Sequence, residues 1–71
     1  MTLQEFLDKN FTKKEQQKET FIIAYNKNLT SLENNGQLIN VKTLDISTNK
    51  LTTLNGIELM PNLEEISIWG N

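Results

Sequence analysis

A chain of 71 residues, 37% apolar and 23% charged, can hold one small globular unit and no second domain. Its formal charge of −2 is too weak to steer nucleic acid, and the absence of cysteine and histidine excludes disulfides, thiolate sites and the usual zinc, copper and haem ligands. No cofactor is expected, and a core of this size leaves oligomerisation or a bound partner as the available source of extra stability.

The N-terminus, MTLQEFLDKNFTKK, lacks the charged and apolar regions of a signal peptide. The longest apolar run, Phe21 to Tyr25, falls far short of the ~20 residues that span a bilayer. The expected address is cytoplasmic, with no membrane contact.

Residues 2–9 place Leu3, Phe6 and Leu7 at i, i+3 and i+4, the apolar stripe of a short amphipathic helix. Thr12-Lys13-Lys14-Glu15 then fits a capping box and predicts a second helix over 13–20. Lys13, Lys14 and Lys18 form a small basic cluster there, but Glu15 and Glu19 lie among them and cancel most of its potential, so the cluster reads as a solvated face.

Phe21 to Tyr25 suits either a buried strand or the last turn of the preceding helix. A repeat downstream favours the strand. Val41, Leu44, Ile46 and Asn49 recur 22 residues later as Leu63, Ile66, Ile68 and Asn71, giving L-x-x-L-x-L-x-x-N twice. In the same frame Leu29-Thr30-Ser31-Leu32 precede Leu51-Thr52-Thr53-Leu54, and Asn40 precedes Asn62. Upstream, Ile22 and Ala24 match Leu44 and Ile46, but Lys27 takes the asparagine position, so the first copy is degenerate.

The last two apolar residues of the pattern are two apart and point to one face of a short strand. An asparagine after them can donate and accept at once, satisfying backbone groups where the chain turns; Asn49 and Asn71 suit that role. Leu51 and Leu54 are expected to point inward, with Ile57, Leu59 and Met60 closing the returning limb. Pro61 is expected to end a short helical or 3₁₀ turn near Met60.

With VKTLDISTNKLTTLNGIELMPN as a nearly complete unit, the chain resembles the leucine-rich repeat family, in the 22-residue class of bacterial internalin-like proteins and some eukaryotic regulatory subunits. The resemblance covers Val41 to Asn71 closely and Phe21 to Asn40 loosely, while Met1 to Thr20 has no counterpart in a repeat. It implies an α/β fold: a short leucine-rich repeat solenoid of about 2.5 coils with a small parallel sheet over residues 21–71, behind an N-terminal helical cap over 1–20. Leu3, Phe6, Leu7 and Phe11 would pack on the open side of the first coil, against Ile22, Leu29 and Leu32.

The family usually binds proteins through the variable residues of its strand face. Carried over by position, these are Phe21, Ile23 and Tyr25 in the first row, Thr43, Asp45, Ser47 and Thr48 in the second, and Glu65, Ser67 and Trp69 in the third. Tyr25 and Trp69 hold equivalent places and are the residue types enriched in binding hot spots. A purely packing role is the alternative, with Trp69 folded over the open edge and Tyr25 against the N-terminal helices. The last strand, around Glu65 to Trp69, would be an uncovered parallel edge, a template for another chain.

Catalysis finds no support: there is no histidine base, and Glu64 and Glu65 are consecutive, so their carboxylates point to opposite strand faces. The Asn-Gly steps at 35–36 and 55–56 read as turns. Single-stranded nucleic acid could stack on the aromatics, but such platforms need a basic groove and the neighbours here are acidic. The leading expectation is therefore a non-enzymatic protein-binding module, with a homodimer through the C-terminal edge strand as one form of partner. A second is a complete small phage or mobile-element inhibitor of a larger macromolecule, such as a CRISPR effector or another ribonucleoprotein. A third is the N-terminal capping fragment of a longer repeat protein. Partner, organism and process are not written in the residues.

Overall fold

In the computed structural model, which describes residues 1–71, both N-terminal helices begin on a threonine. The first helix, α1 (Leu3–Asn10), starts where the Thr2 hydroxyl accepts from the Glu5 amide at 3.1 Å and the Glu5 carboxylate accepts from the Thr2 amide at 2.8 Å. The second, α2 (Lys13–Lys18), repeats the arrangement with Thr12 and Glu15. Two otherwise unpaired amides are satisfied at each start, an effect of about 1 kcal/mol per cap. The expected box at Thr12 is present; an equal one at Thr2 supplies the first start.

The second helix stops at Lys18, two residues short of expectation, and Glu19 is already extended. The reason lies in the sheet: the Thr20 carbonyl accepts from the amides of Lys42 and Thr43, which places Thr20 at the head of the first strand. That strand, β1 (Phe21–Ile23), is followed by β2 (Thr43–Asp45) and β3 (Glu65–Ser67) in a parallel sheet of order β1-β2-β3. Phe21 pairs with Thr43 and Thr43 with Glu65, so each row steps by the 22 residues of the sequence repeat. Although each strand is only three residues long, the hydrogen bonds run on, from Ala24 to Asp45, Asn26 to Ser47, Ile46 to Ser67 and Thr48 to Trp69.

Rows end alike. Asn26, Thr48 and Gly70 occupy equivalent positions and all have left-handed backbone, with φ of 54°, 56° and 74°. One residue beyond Thr48, Asn49 is buried, and its Oδ1 accepts from the amides of Lys27 and Leu29 while its Nδ2 donates to the carbonyls of Ala24, Ile46 and Ser47. Asn71 does the same work one row on, accepting from Leu51 and donating to Ile46 and Ile68. Asn40 and Asn62 form a second asparagine pair on the returning limbs, bonded to the carbonyls of Gln17 and Ile39.

Between β2 and β3 the chain makes a 3₁₀ turn over Ile57–Leu59, ended at Met60 just before Pro61. With three residues per turn, Ile57 and Met60 share the inner side. Leu59 points out and is 44% exposed, so it does not close the limb as expected.

One cluster of 13 buried apolar residues joins the helices to the sheet: Leu3, Phe6 and Leu7 of α1 pack with Ile22, Ala24, Leu29 and Leu32, and Phe11 lies half-buried beside them. The chain start itself supports this end, since Thr30 donates to the Met1 carbonyl, Leu3 to Ser31 and Gln4 to Glu33. The fold is thus α/β, two short helices and a three-stranded parallel sheet. No helix is long and apolar enough to cross a membrane.

Candidate functional site

Alternation along each strand sends Ile22, Leu44 and Ile66 to the core and their neighbours to the other face. That outer face is a grid of three lines across the sheet. Phe21, Thr43 and Glu65 form the first line, Ile23, Asp45 and Ser67 the second, by direct register. Tyr25, Ser47 and Trp69 form the third by the same 22-residue step.

Four large apolar side chains on this face meet solvent: Phe21 at 52%, Ile23 at 55%, Tyr25 at 43% and Trp69 at 61% exposure. Clustered exposure of this kind, unlike scattered surface leucines, singles this face out as a candidate contact surface. Tyr25 and Trp69 are not isolated on this face. They meet each other, with ring centroids 5.6 Å apart and planes tilted by 52°. Their strands are two spacings apart, roughly 10 Å, so the rings lean together across the middle row.

Ser47, placed by sequence among the contact residues, is fully buried in that middle position. Its short side chain leaves the room the two rings occupy, and its hydroxyl pairs with that of Ser67 at 2.9 Å. Ser47 therefore supports the bar from below and offers no contact surface. Thr48 also departs from expectation: its left-handed backbone turns it off the strand alternation, and its Oγ1 is buried without a hydrogen-bond partner.

Thr43, Asp45 and Ser67 are half-buried, and Glu65 is exposed. One oxygen of Asp45 accepts from the Ser47 amide at 3.0 Å, which holds the carboxylate over the strand end and leaves the other oxygen free. Asp45 and Glu65 sit diagonally across β2 and β3, and the grid contains no lysine, so its charge is wholly negative. Apolar and aromatic side chains line the β1 side and one β3 corner of the face, with Asp45 at its centre and Glu65 at the other β3 corner.

The structure thus brings eight of the ten contact residues expected from sequence onto one accessible or partly accessible face, and sets Ser47 and Thr48 apart from it. The Tyr25–Trp69 contact was not foreseen, though the frame carried a signal for it: two large aromatics at equivalent positions with a serine between. No family model, curated protein or solved structure matches the chain.

Proposed function

We propose that the chain is a short leucine-rich-repeat-like module that binds another protein through the outer face of its sheet. The observation that carries this reading is the joint exposure of Phe21, Ile23, Tyr25 and Trp69 on one rigid face. The 22-residue step between strands and the repeated asparagine hydrogen bonds support the repeat relationship. In this reading rows of backbone hydrogen bonds hold the anchors in place before binding, which lowers the entropic cost of association.

Asp45 at the centre and Glu65 at the β3 corner select for a partner patch that presents lysine or arginine beside apolar residues. Asp45 and Glu65 would then add specificity and association rate more than raw affinity, and binding would weaken as salt rises. Catalysis has no part in this proposal.

The test is quantitative capture from a lysate of cells that make the protein, comparing wild type with Tyr25→Ala, Trp69→Ala and Ile39→Ala. Ile39 is 46% exposed but lies outside the grid, so it controls for loss of surface apolarity alone. A partner retained by Ile39→Ala and reduced at least about tenfold by each aromatic variant supports the face as the contact surface. Undiminished capture by both aromatic variants overturns it.

A further inference from the structure

The two Asn-Gly steps, at 35–36 and 55–56, are alike in sequence and differ in their surroundings. Both asparagines are exposed, and neither side chain is hydrogen-bonded. With no Cβ, the glycine that follows lets its backbone nitrogen approach the asparagine side-chain carbonyl carbon closely. Gly56 is held against that approach. Its amide donates to both carboxylate oxygens of Glu58, at 2.8 and 2.7 Å, and their negative charge opposes loss of the amide proton. Its carbonyl accepts from the Leu59 amide and from Asn34 Nδ2, both at 3.1 Å, and its Cα lies against the Leu32 backbone. Gly36 also has left-handed backbone, with φ of 74°, but nothing lies within 4 Å of the position a Cβ would take. Its amide donates to the neutral Oδ1 of Asn34 at 2.9 Å, and its carbonyl accepts no bond from the chain.

We propose that Asn35 is a site of spontaneous deamidation in the folded protein, and that the fold protects Asn55 from the same reaction. The Gly36 nitrogen gives its proton to solvent and attacks Asn35 Cγ. The new N–C bond closes a five-membered succinimide as the Cγ–Nδ2 bond breaks, and the leaving nitrogen takes a proton from water and departs as ammonia. Water then opens the ring. Hydrolysis between the Gly36 nitrogen and Cγ gives aspartate; hydrolysis between that nitrogen and the main-chain carbonyl carbon gives isoaspartate, with the chain running through Cγ and one carbon longer. Water is the sole co-reactant, and either product adds one negative charge to a chain of net charge −2.

The turn that carries Asn35 is tied to both helices. The Asn35 amide donates to Gln4 Oε1 at 2.8 Å, Gln4 donates in turn to Asp8 and Gln16, and Gln16 donates to Asp8. Asn35 lines a hollow of about 170 Å³ with Gln4, Asp8, Lys13, Gln16 and Gln37. A carboxylate at 35 brings a second acid to a hollow whose titratable groups are Asp8 and Lys13. In the isoaspartyl form the Gly36 amide is also set one carbon further from Asn34, whose buried side chain joins the carbonyls of Leu32 and Gly56. The change therefore reaches from an exposed turn to a buried side chain and weakens the junction of the helices with the rest of the fold.

The test follows the full chain by mass spectrometry, folded in mildly alkaline buffer and, in parallel, unfolded in guanidinium chloride at the same pH and temperature. Trypsin separates the two sites, since cleavage after Lys27, Lys42 and Lys50 puts Asn35 in fragment 28–42 and Asn55 in fragment 51–71. Each conversion adds about 1 Da, the difference between an amide and a carboxyl group, and fragmentation of the peptide assigns it to one residue. The unfolded chain is expected to convert both sites at comparable rates. Folding is expected to leave Asn35 within about threefold of its unfolded rate and to slow Asn55 at least about tenfold, because Asn55 then reacts only through opening of the fold. Aged protein converted at Asn35 is expected to unfold at a lower urea concentration than Asn35→Asp, which carries the charge without the added main-chain carbon. Equal slowing of the two sites on folding, or faster conversion at Asn55, overturns the site assignment, and an aged protein with the wild-type midpoint overturns the effect on the helical junction.

Discussion

The rings of Tyr25 and Trp69 lie 5.6 Å apart over Ser47, so the first and last strands of the sheet touch through side chains although neither is hydrogen-bonded to the other. The contact bridges the middle row and couples the two edges. A double-mutant cycle with Tyr25→Phe, Trp69→Ala and the combined variant removes the hydroxyl and the partner separately; Tyr25→Ala with Trp69→Ala removes the pair. Coupling of about 0.5–1.5 kcal/mol is expected for the alanine cycle and almost none of it should depend on the hydroxyl. Denaturant midpoints measure both, and strict additivity in the alanine cycle contradicts the contact.

Asn49 and Asn71 hold equivalent places but differ in burial, and their substitution should differ accordingly. Asn49→Ala strands the amide of Leu29 and the carbonyl of Ala24 in the interior and releases the part-buried amide of Lys27. A loss of about 3 kcal/mol or more is expected, a large part of the stability of so small a domain. Asn71 is exposed to water, which can replace its bonds, so Asn71→Ala should cost about 1 kcal/mol. Equal effects in urea unfolding would show that the asparagines do not act through burial.

Thr48 carries a β-branched side chain at φ 56° and a buried, unpaired hydroxyl. Its equivalents, Asn26 and Gly70, are residue types that accept this backbone readily. Thr48→Gly is expected to stabilise the fold by about 1 kcal/mol, because relief of strain and of the unpaired hydroxyl outweighs the added freedom of the unfolded chain. The opposite is expected at Gly56, where φ is 116° and an added Cβ would run into the Leu32 carbonyl. Gly56→Ala should lower the melting temperature, and an increase would refute the close approach.

The carboxylate of Glu5 is held below its ordinary value of 4.5, first by the backbone hydrogen bond from Thr2 and then by the Thr2 side chain. A carboxylate lowered on folding adds stability that is present above the unfolded value and is lost as pH falls through the folded one. Wild type is therefore expected to lose this contribution as the solution is acidified below the ordinary carboxylate range. Glu5→Gln removes that part of the pH dependence. Urea midpoints followed from neutral to acid pH measure it, and identical slopes for the two proteins would rule out the capping box as the source.

Local pattern was sufficient for much of the fold. The Thr12 box, the amphipathic spacing of Leu3, Phe6 and Leu7, and the 22-residue recurrence are short-range chemical signals, and the observed register of 21 on 43 on 65 follows that recurrence. The box at Thr2 was equally legible in T-L-Q-E, since the same two side chains capture the same two amides. Element ends were less so: α2 stops at Lys18 because the Thr20 carbonyl is claimed by Lys42 and Thr43, residues more than twenty positions away.

The chain sequence by itself determined which side chains alternate toward the core and which line the outer face, because the period of a strand is a property of the backbone alone. Only the tertiary structure decided which of those outer residues remain accessible. Ser47 has the right parity and the right row, yet it lies beneath two rings brought together from strands on either side. Thr48 follows it in sequence but leaves the alternation at a left-handed turn. Exposure depends on what neighbouring rows place above a residue, and that neighbourhood exists only once the sheet has formed.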